Sequence, residues 1–459
     1  MNLSTLNKSE LIKKCKELGI KKYSSKSKVE IIALIQNQGI DIYVPMQNTI
    51  ISHTNPILEP TINTNNTDLK FVDLFCGIGG FHQALRRIGG ECVFACDIDP
   101  ECRKTYKENY GLEPEGDITK IDIQKIPPFD ILCAGFPCQP FSKAGFQKGF
   151  DDDRGNLFFH ICKIVETHRP KYMILENVKN LSSHDDGNTW RIISSAIDSL
   201  GYHTYREPVI LNVLHFNIPQ NRERVIIMCK RKDLGELPVL PNIPTNPKIA
   251  LTSFIKDYIL ENDTDKDKDK ITGKLKAVEI VWDRFIKILI ENQIEIPKYP
   301  IWTDWWDNDF EVTDPFYLKY TSWIDKNREF YSRNRIILEP WLLTSRENPL
   351  WLGAVRKFEW QAGDLLESDG MNTVLWSARG SGIRVKRPNY IPTLVAMSMV
   401  PVYGPESRKL TARELLRLQS FPEDFRFNEK TIYKQVGNAV NVKMIEQCAR
   451  YLIFGEPLF

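Results

Sequence analysis

The chain offers little to a metal and little to a membrane. Its ten cysteines contain no C-x-x-C pair and its seven histidines show no zinc-ligand spacing, so zinc ribbons and fingers are excluded and no metal is expected. No stretch approaches the roughly 20 apolar residues of a membrane span, and the N-terminus lacks the basic, apolar and small-residue series of a secretory signal. A soluble, intracellular protein of a reduced compartment, cytoplasmic or nuclear, is expected. Net charge is scarce too. Lys plus Arg number 61 and Asp plus Glu 59, leaving +2, so a nucleic-acid face would have to come from local clustering. Internal repeats are absent, which excludes solenoids and propellers.

What is present falls into segments. Residues 1–43 read as a small helical module: SELIKKCKELGI sets Leu11, Cys15 and Leu18 at helical spacing and stops at Gly19, and Ser27 with Glu30 forms a capping box for a second helix. The first thirty residues hold eight lysines against three glutamates. This helix pair resembles a SAP motif, a small DNA-binding module, although a solvated lysine-rich face has the same composition. Residues 44–68, polar and without period, read as a linker. From 69 to 235, the apolar runs KFVDLF, ECVFACD, DILCAGF, KYMILEN and RVIIMCK alternate with helical stretches such as FHQALRRIG. That alternation predicts an α/β, doubly wound fold with a parallel sheet covered on both faces. Between 236 and 390 the rhythm stops. This region holds nine of the ten tryptophans and reads as a smaller inserted domain with an aromatic core; Trp302, Trp305 and Trp306 would be DNA wedges only if displayed. Residues 391–459 return to helical and strand-turn-helix patterns.

The first strand runs into CGIGGF, placing Gly77 and Gly79 where a backbone turns tightly and approaches a ligand. The second ends in CDID, so Asp97 stands 24 positions after Asp73, where a strand-end carboxylate can accept both hydroxyls of a ribose. Asp117 in EGDIT is expected to follow a third strand and to accept from an adenine amino group. Without the full dinucleotide fingerprint, the set points to a nucleoside cofactor lacking pyrophosphate. In GFPCQPFS, Cys138 lies between a proline and a glutamine after the apolar run DILCA. Most cysteines are small buried hydrophobes, so its function must be argued from its company.

That company is specific. FVDLFCGIGGFHQAL, EGDIT, DILCAGFPCQPFS, KYMILENVKN, IPQNRERVIIM and YKQVGNAV occur in the order of the blocks of DNA cytosine-5 methyltransferases, and the chain resembles that family over about 69–230 and 405–459. The resemblance implies a Rossmann-like, S-adenosylmethionine-dependent domain in two pieces, 69–235 and 391–459, with a target-recognition region inserted at 236–390. It also implies double-stranded DNA as partner, action as a monomer on a flipped cytosine, and no metal. Cytosine C5 is a poor nucleophile until a thiolate adds at C6, and the resemblance gives that addition to Cys138. Glu176 in LENV becomes the partner of the base's N3 and amino edge, Arg224 in QNRERV the donor to O2, and Arg222 a supporting neighbour on the same strand face by alternation.

For the cofactor, the resemblance carries Phe75 to the adenine, Gly77 and Gly79 to the methionine side, Asp97 and Ile98 to the ribose and adenine, Asp117 to the amino group, Leu157 to the methionine end and Asn438 to the pocket wall. Two positions depart from the family: Asp97 stands where glutamate is usual, and Ile98 where an aromatic is common, which alters ribose reach and adenine stacking. In SARGSGIRVKRP, glycines accompany Arg379, Arg384, Lys386 and Arg387, expected to contact phosphates or guanine edges; an exposed basic turn would read the same. Transfer-RNA cytosine methylation on the same fold and a catalytically silent DNA-binding homologue are the alternatives.

Overall fold

The computed structural model describes residues 68–137, 157–244, 269–307, 320–394 and 399–459. The helical module at 1–43, the linker up to residue 67, and Cys138 lie outside the described residues.

The first half of the chain builds a seven-stranded sheet. Its strands are β1 (Lys70–Leu74), β2 (Glu91–Cys96), β3 (Ile131–Gly135), β4 (Tyr172–Val178), β5 (Tyr202–Thr204), β6 (Val209–Asn212) and, after the two-residue β7 (Gln220–Asn221), the long β8 (Glu223–Arg231). They run in the order β2-β1-β3-β4-β8-β5, with β6 also on β8. The β2-β1-β3-β4 half is parallel, as expected, and its crossovers carry α1 (Gly80–Arg87), α2 (Pro100–Tyr110) and α3 (Leu157–His168). The other half corrects the expectation of a parallel sheet. After α4 (Asn188–Ser199) the chain enters short strands, and β8 lies antiparallel to β4, β5 and β6. An apolar run such as RVIIMCK is buried on both faces in either direction, so composition alone could not reveal the reversal.

Strand alternation divides this core into two. Phe71, Ile131, Cys133, Ile174, Ile226 and Met228 face one side of the sheet, where Phe81 and Leu85 of α1 meet them. Val72, Leu132, Met173, Leu175, Val225 and Ile227 face the other, against Phe158 and Ile161 of α3 and Ile193 and Ile197 of α4.

The inserted region has its own sheet and core. Helices α5 (Gly273–Glu291) and α6 (Thr321–Arg346) accompany strands β9 (Ile301–Trp302), β10 (Lys357–Trp360), β11 (Leu375–Arg379) and β12 (Gly382–Lys386). Past β13 (Ile391–Pro392), strands β14 (Val402–Tyr403) and β15 (Arg408–Lys409) complete the order β15-β14-β11-β12-β10-β9. Trp282, Trp306, Trp341, Trp351, Trp360 and Trp376 are buried in one cluster, with Trp282 stacked on Phe358 at 4.4 Å. Trp305 is buried as well, and Trp302 lies beneath the Lys357 ammonium, 3.4 Å from its ring centre. Trp305 and Trp306 are core, and Trp302 is half-buried under Lys357.

The chain then returns to the first sheet. β13 pairs with β7 in parallel, and helices α7 (Ala412–Leu418), α8 (Ile432–Asn438) and α9 (Val442–Phe454) follow. Val440 sits so close to Gly80 that a side-chain Cβ there would lie 2.6 Å from it. Glycine at the start of α1 is therefore what lets the returning segment close on the first one.

Candidate active site

The glycine turn and the end of β2 form one unit. Gly77 N–H donates to an Asp97 carboxylate oxygen at 2.8 Å, Asp99 N–H donates to the other oxygen at 2.8 Å, and Cys76 N–H donates to the Cys96 carbonyl at 3.0 Å. Burial pushes the Asp97 carboxyl up, against the lowering effect of those two N–H donors. Phe75 and Gly77 both take left-handed backbone, with φ of 54° and 53°. Beneath the turn, the Tyr110 hydroxyl lies 3.0 Å from the Gly79 carbonyl oxygen and 3.2 Å from that of Ile78. A Cβ at Gly79 would lie 2.2 Å from the Tyr110 ring, and φ there is +84°; only glycine fits.

The backbone of Glu115 is bonded to Ala95 and Asp97, which brings Asp117, two residues on, to the end of β2. The third strand expected before Asp117 is only a single bridge, Cys96 to Glu115. Asp117 itself caps the short helix Ile118–Lys120 by accepting from Thr119 N–H at 3.0 Å. Ile98 stands 73% exposed beside Asp97. Leu157 opens α3 and packs partly into the second core cluster. Asn438 is exposed at the end of α8, and that helix is tied to the β2–α2 turn by Lys434 to Asp99 at 3.0 Å and Gln435 to Thr105 at 3.3 Å.

One strand over from Gly135, in direct register with it, stands Glu176. The residue is 8% exposed, and its carboxylate lies 2.7 Å from Arg224 Nε. Despite that short distance, Glu176 Oε1 has no well-aligned hydrogen bond: the guanidinium is beside the oxygen, not in line with it. Burial raises the Glu176 carboxyl, while Arg224 and Arg222 pull it back. The geometry follows from register, since Glu176 faces Ile226 on β8 and Arg224 is the diagonal neighbour two residues away. Asn177 next door donates to the Phe136 carbonyl at 2.9 Å, fixing the chain two residues before Cys138. No sequence pattern singled out Asn177 or Tyr110; each acts through a backbone partner remote in sequence.

Arg222 does not share a strand face with Arg224, since it precedes β8. Fully buried, it donates to the carbonyls of Leu394 at 3.0 Å, Gly437 at 3.1 Å and Ala439 at 2.8 Å. Those bonds bracket Asn438 and join the loop before β8 to the returning segment, so Arg222 is a staple; burial and the neighbouring Arg224 pull its guanidinium down to about 9, against the Glu176 carboxylate, which favours its charge.

Between Arg224 and the second sheet lies a cleft of about 450 Å³. Val178, Lys179, Asn180 and Arg224 line one side, and Ser377, Arg379, Arg384, Lys386 and Gln361 the other. Alternation builds that second wall: Trp376, Ile383, Val385, Phe358 and Trp360 point into the aromatic core, and their neighbours in sequence point out. Burial and mutual repulsion lower the Arg379 guanidinium, with Arg384 the nearby cation, and lower Lys386, with Arg379 and Arg384 beside it. Arg387 is again a correction. It is out of phase with Arg384 and Lys386 and is turned to the buried Asp369, an ion pair reinforced by the Ala362 carbonyl at 2.8 Å. It braces the domain and does not line the cleft.

The family described as C-5 cytosine-specific DNA methylase matches residues 69–453. This chain belongs to that family. Type II methyltransferase M.HhaI of Haemophilus parahaemolyticus is 32% identical over 385 residues, 83% of this chain and 94% of that protein. M.BanI of Aneurinibacillus aneurinilyticus is 32% identical over 424 residues, again covering 83% and 94%. M.HpaII of Haemophilus parainfluenzae reaches 46% over 183 residues, 39% of this chain and 51% of that protein. The methylase is thus an enzyme that transfers a methyl group to C5 of cytosine in DNA, and S-adenosylmethionine is the donor its family implies.

The strand-end residues of the methylase fit that donor. Each Asp97 oxygen takes one backbone N–H, leaving lone pairs for ribose hydroxyls. A Cβ at Gly77 would meet open space, so the backbone there is approachable, and the exposed Ile98 with the half-buried Phe75 supplies apolar surface for a base. Among the described residues, no group of three or more His, Cys, Asp or Glu could hold a metal ion, and no helix is long and apolar enough to cross a membrane.

Proposed function

We propose that the methylase acts on a cytosine flipped from a specific duplex sequence, with Cys138 as nucleophile and Glu176 and Arg224 as the groups that hold the base. The observation that supports this most is the Glu176–Arg224 pair: a buried carboxyl 2.7 Å from Arg224 Nε, in register with Gly135 at the end of β3. A desolvated carboxyl and guanidinium side by side match the polar edge of a base, and the N3, amino and O2 groups of cytosine form such an edge.

The Cys138 thiolate adds to C6, forming an S–C bond as the C5–C6 π bond breaks and its electrons move onto C5 and, through C4, toward N3. Glu176, whose carboxyl burial raises, donates toward N3 and stabilises that charge, while Arg224 donates to O2. When bound, S-adenosylmethionine supplies the electrophilic methyl group for C5. Loss of the C5 proton to a base then returns electrons to the C5–C6 bond and expels the Cys138 thiolate, restoring aromaticity. Phe75, Gly77, Gly79, Asp97, Ile98 and Asp117 hold the donor at the strand ends, with Leu157 and Asn438 at the margin. Residues 236–390 act as the target-recognition region, with Arg379, Arg384 and Lys386 facing DNA. The names of the curated relatives support reading the chain as a sequence-specific modification enzyme of the restriction-modification kind.

The test is transfer of labelled methyl to mixed-sequence duplex DNA and to RNA in parallel, with the products sequenced at cytosine resolution. Modification of DNA cytosines in one context, absent in Cys138→Ala, is expected. Labelling of RNA alone would move the substrate, and labelling retained in the variant would move the nucleophile.

A further inference from the structure

The cleft wall on the second sheet is not a uniform basic patch. Arg384 occupies its centre: Glu359 is its direct partner on β10 and Ser377 its direct partner on β11. Glu359 Oε2 lies 2.9 Å from Arg384 Nε, and the other oxygen of the same carboxylate accepts a hydrogen bond from the Gln361 amide. One carboxylate therefore fixes two side chains, Arg384 and Gln361, that both line the cleft. Arg379 and Lys386 stand on either side. Among the described residues, Glu359 is the carboxylate that acts on both, and Lys386 rests over the Tyr390 ring at 5.5 Å.

These two kinds of cation suit different targets. A guanidinium held through Nε by a carboxylate has lost its rotational freedom and presents its remaining N–H edge in a fixed plane, which matches the O6 and N7 acceptors of guanine in the major groove. A cation without such a brace serves a phosphate, whose charge is the same from many directions. Resting on the reading of this cleft as the DNA site, we propose that Arg384 reads a guanine of the recognition sequence, that Glu359 is the positioning residue which sets its orientation, and that Arg379 and Lys386 neutralise backbone phosphates. The motif SARGSGIRVKRP showed the cations, but Glu359 lies 25 positions before Arg384 and only the β10–β12 register joins them.

The experiment compares the sequence contexts methylated by the full chain and by Arg384→Gln, Arg384→Lys, Glu359→Gln and Lys386→Gln, on a randomised duplex library across a salt series. The full chain is expected to require guanine at one fixed position near the modified cytosine. Arg384→Gln and Arg384→Lys should both lose that preference, a fall of about tenfold or more in discrimination at that position alone, and Arg384→Lys should do so with the salt dependence unchanged. Glu359→Gln should weaken the same preference while Arg384 is still present. Lys386→Gln should lower affinity across all sequences and reduce the salt slope by about one with the guanine preference intact. The proposal is overturned if Arg384→Lys keeps the guanine requirement, if Arg384→Gln weakens every sequence equally, or if the methylated context contains no fixed guanine. Absence of any DNA methylation by the full chain would instead overturn the reading of the cleft on which the proposal rests.

Discussion

The two sheets carry chemistry in opposite ways. In the seven-stranded sheet both faces are covered by helices and core, so the groups proposed to act stand where strands end: Asp97 after β2, Glu176 near the end of β4, Arg224 at the start of β8. In the second sheet one face is covered by the aromatic core and the other only in part, where Leu375 and Tyr403 join the first core cluster. The uncovered part carries Arg379, Arg384 and Lys386 beside the buried Ser377, along the strands themselves. A doubly covered sheet concentrates a few groups in a desolvated site suited to bond making, whereas an open face spreads many groups over an area suited to reading a long polymer.

The sharpest break between the two should come from Glu176→Gln. It keeps the shape and one amide donor but removes the carboxyl that burial holds up, and single-turnover methyl transfer should slow by about two orders of magnitude or more. No comparable rate loss is expected from any single change on the open face. Gly79→Ala, at φ +84° with the Tyr110 ring in the way, should distort the turn. Calorimetry with S-adenosylhomocysteine should show binding weakened by tenfold or more if the chain still folds.

Next come the cores. Trp282→Ala should cost about 3–5 kcal/mol, read by chemical denaturation, because Trp282 is fully buried at the centre of the aromatic cluster. Arg222→Gln strips donors from three buried carbonyls and should cost about 3 kcal/mol. Its effect on stability should exceed its effect on the rate of the remaining folded enzyme, the reverse of Glu176→Gln.

The smallest effect concerns His82 on α1, buried with its Nδ1 2.7 Å from the Tyr106 hydroxyl and its ring stacked on Tyr110 at 3.8 Å. Burial, with Arg86 nearby, pulls it down to about 3. Between that value and the unfolded value near 6.5, only the unfolded chain binds the proton, so this residue makes stability fall as pH drops, by about 1.4 kcal/mol per pH unit at most. Asp73, raised by burial in the same network, acts with the opposite sign, so the comparison with His82→Gln isolates the histidine. The variant should lose less stability than the parent between pH 6.5 and 5 in paired melts; equal losses would show that His82 is not buried neutral.

How much of this was readable beforehand follows the same division. Strand-end groups are written in contiguous blocks, so the glycine turn, Asp97, Glu176 and Arg224 could be proposed from their neighbours in sequence. Face chemistry depends on which strands lie side by side. The period of two separates Arg384 and Lys386 from Arg387, yet a run of basic residues hid it until Asp369 was seen to hold Arg387. The antiparallel course of β8 was hidden because a strand buried on both faces looks alike in either direction. The partners of Arg222, three backbone carbonyls from residues 394 to 439, leave no mark in composition, so how it supports the site was not legible.

The most direct measurement is covalent capture on duplex DNA carrying 5-fluorocytosine, in the presence of S-adenosylmethionine. Fluorine at C5 cannot leave as a proton does, so the adduct should persist through denaturing electrophoresis with the parent chain and vanish with Cys138→Ala. A persistent adduct in that variant, or methylation of ordinary cytosine with none captured in the parent, would contradict the mechanism.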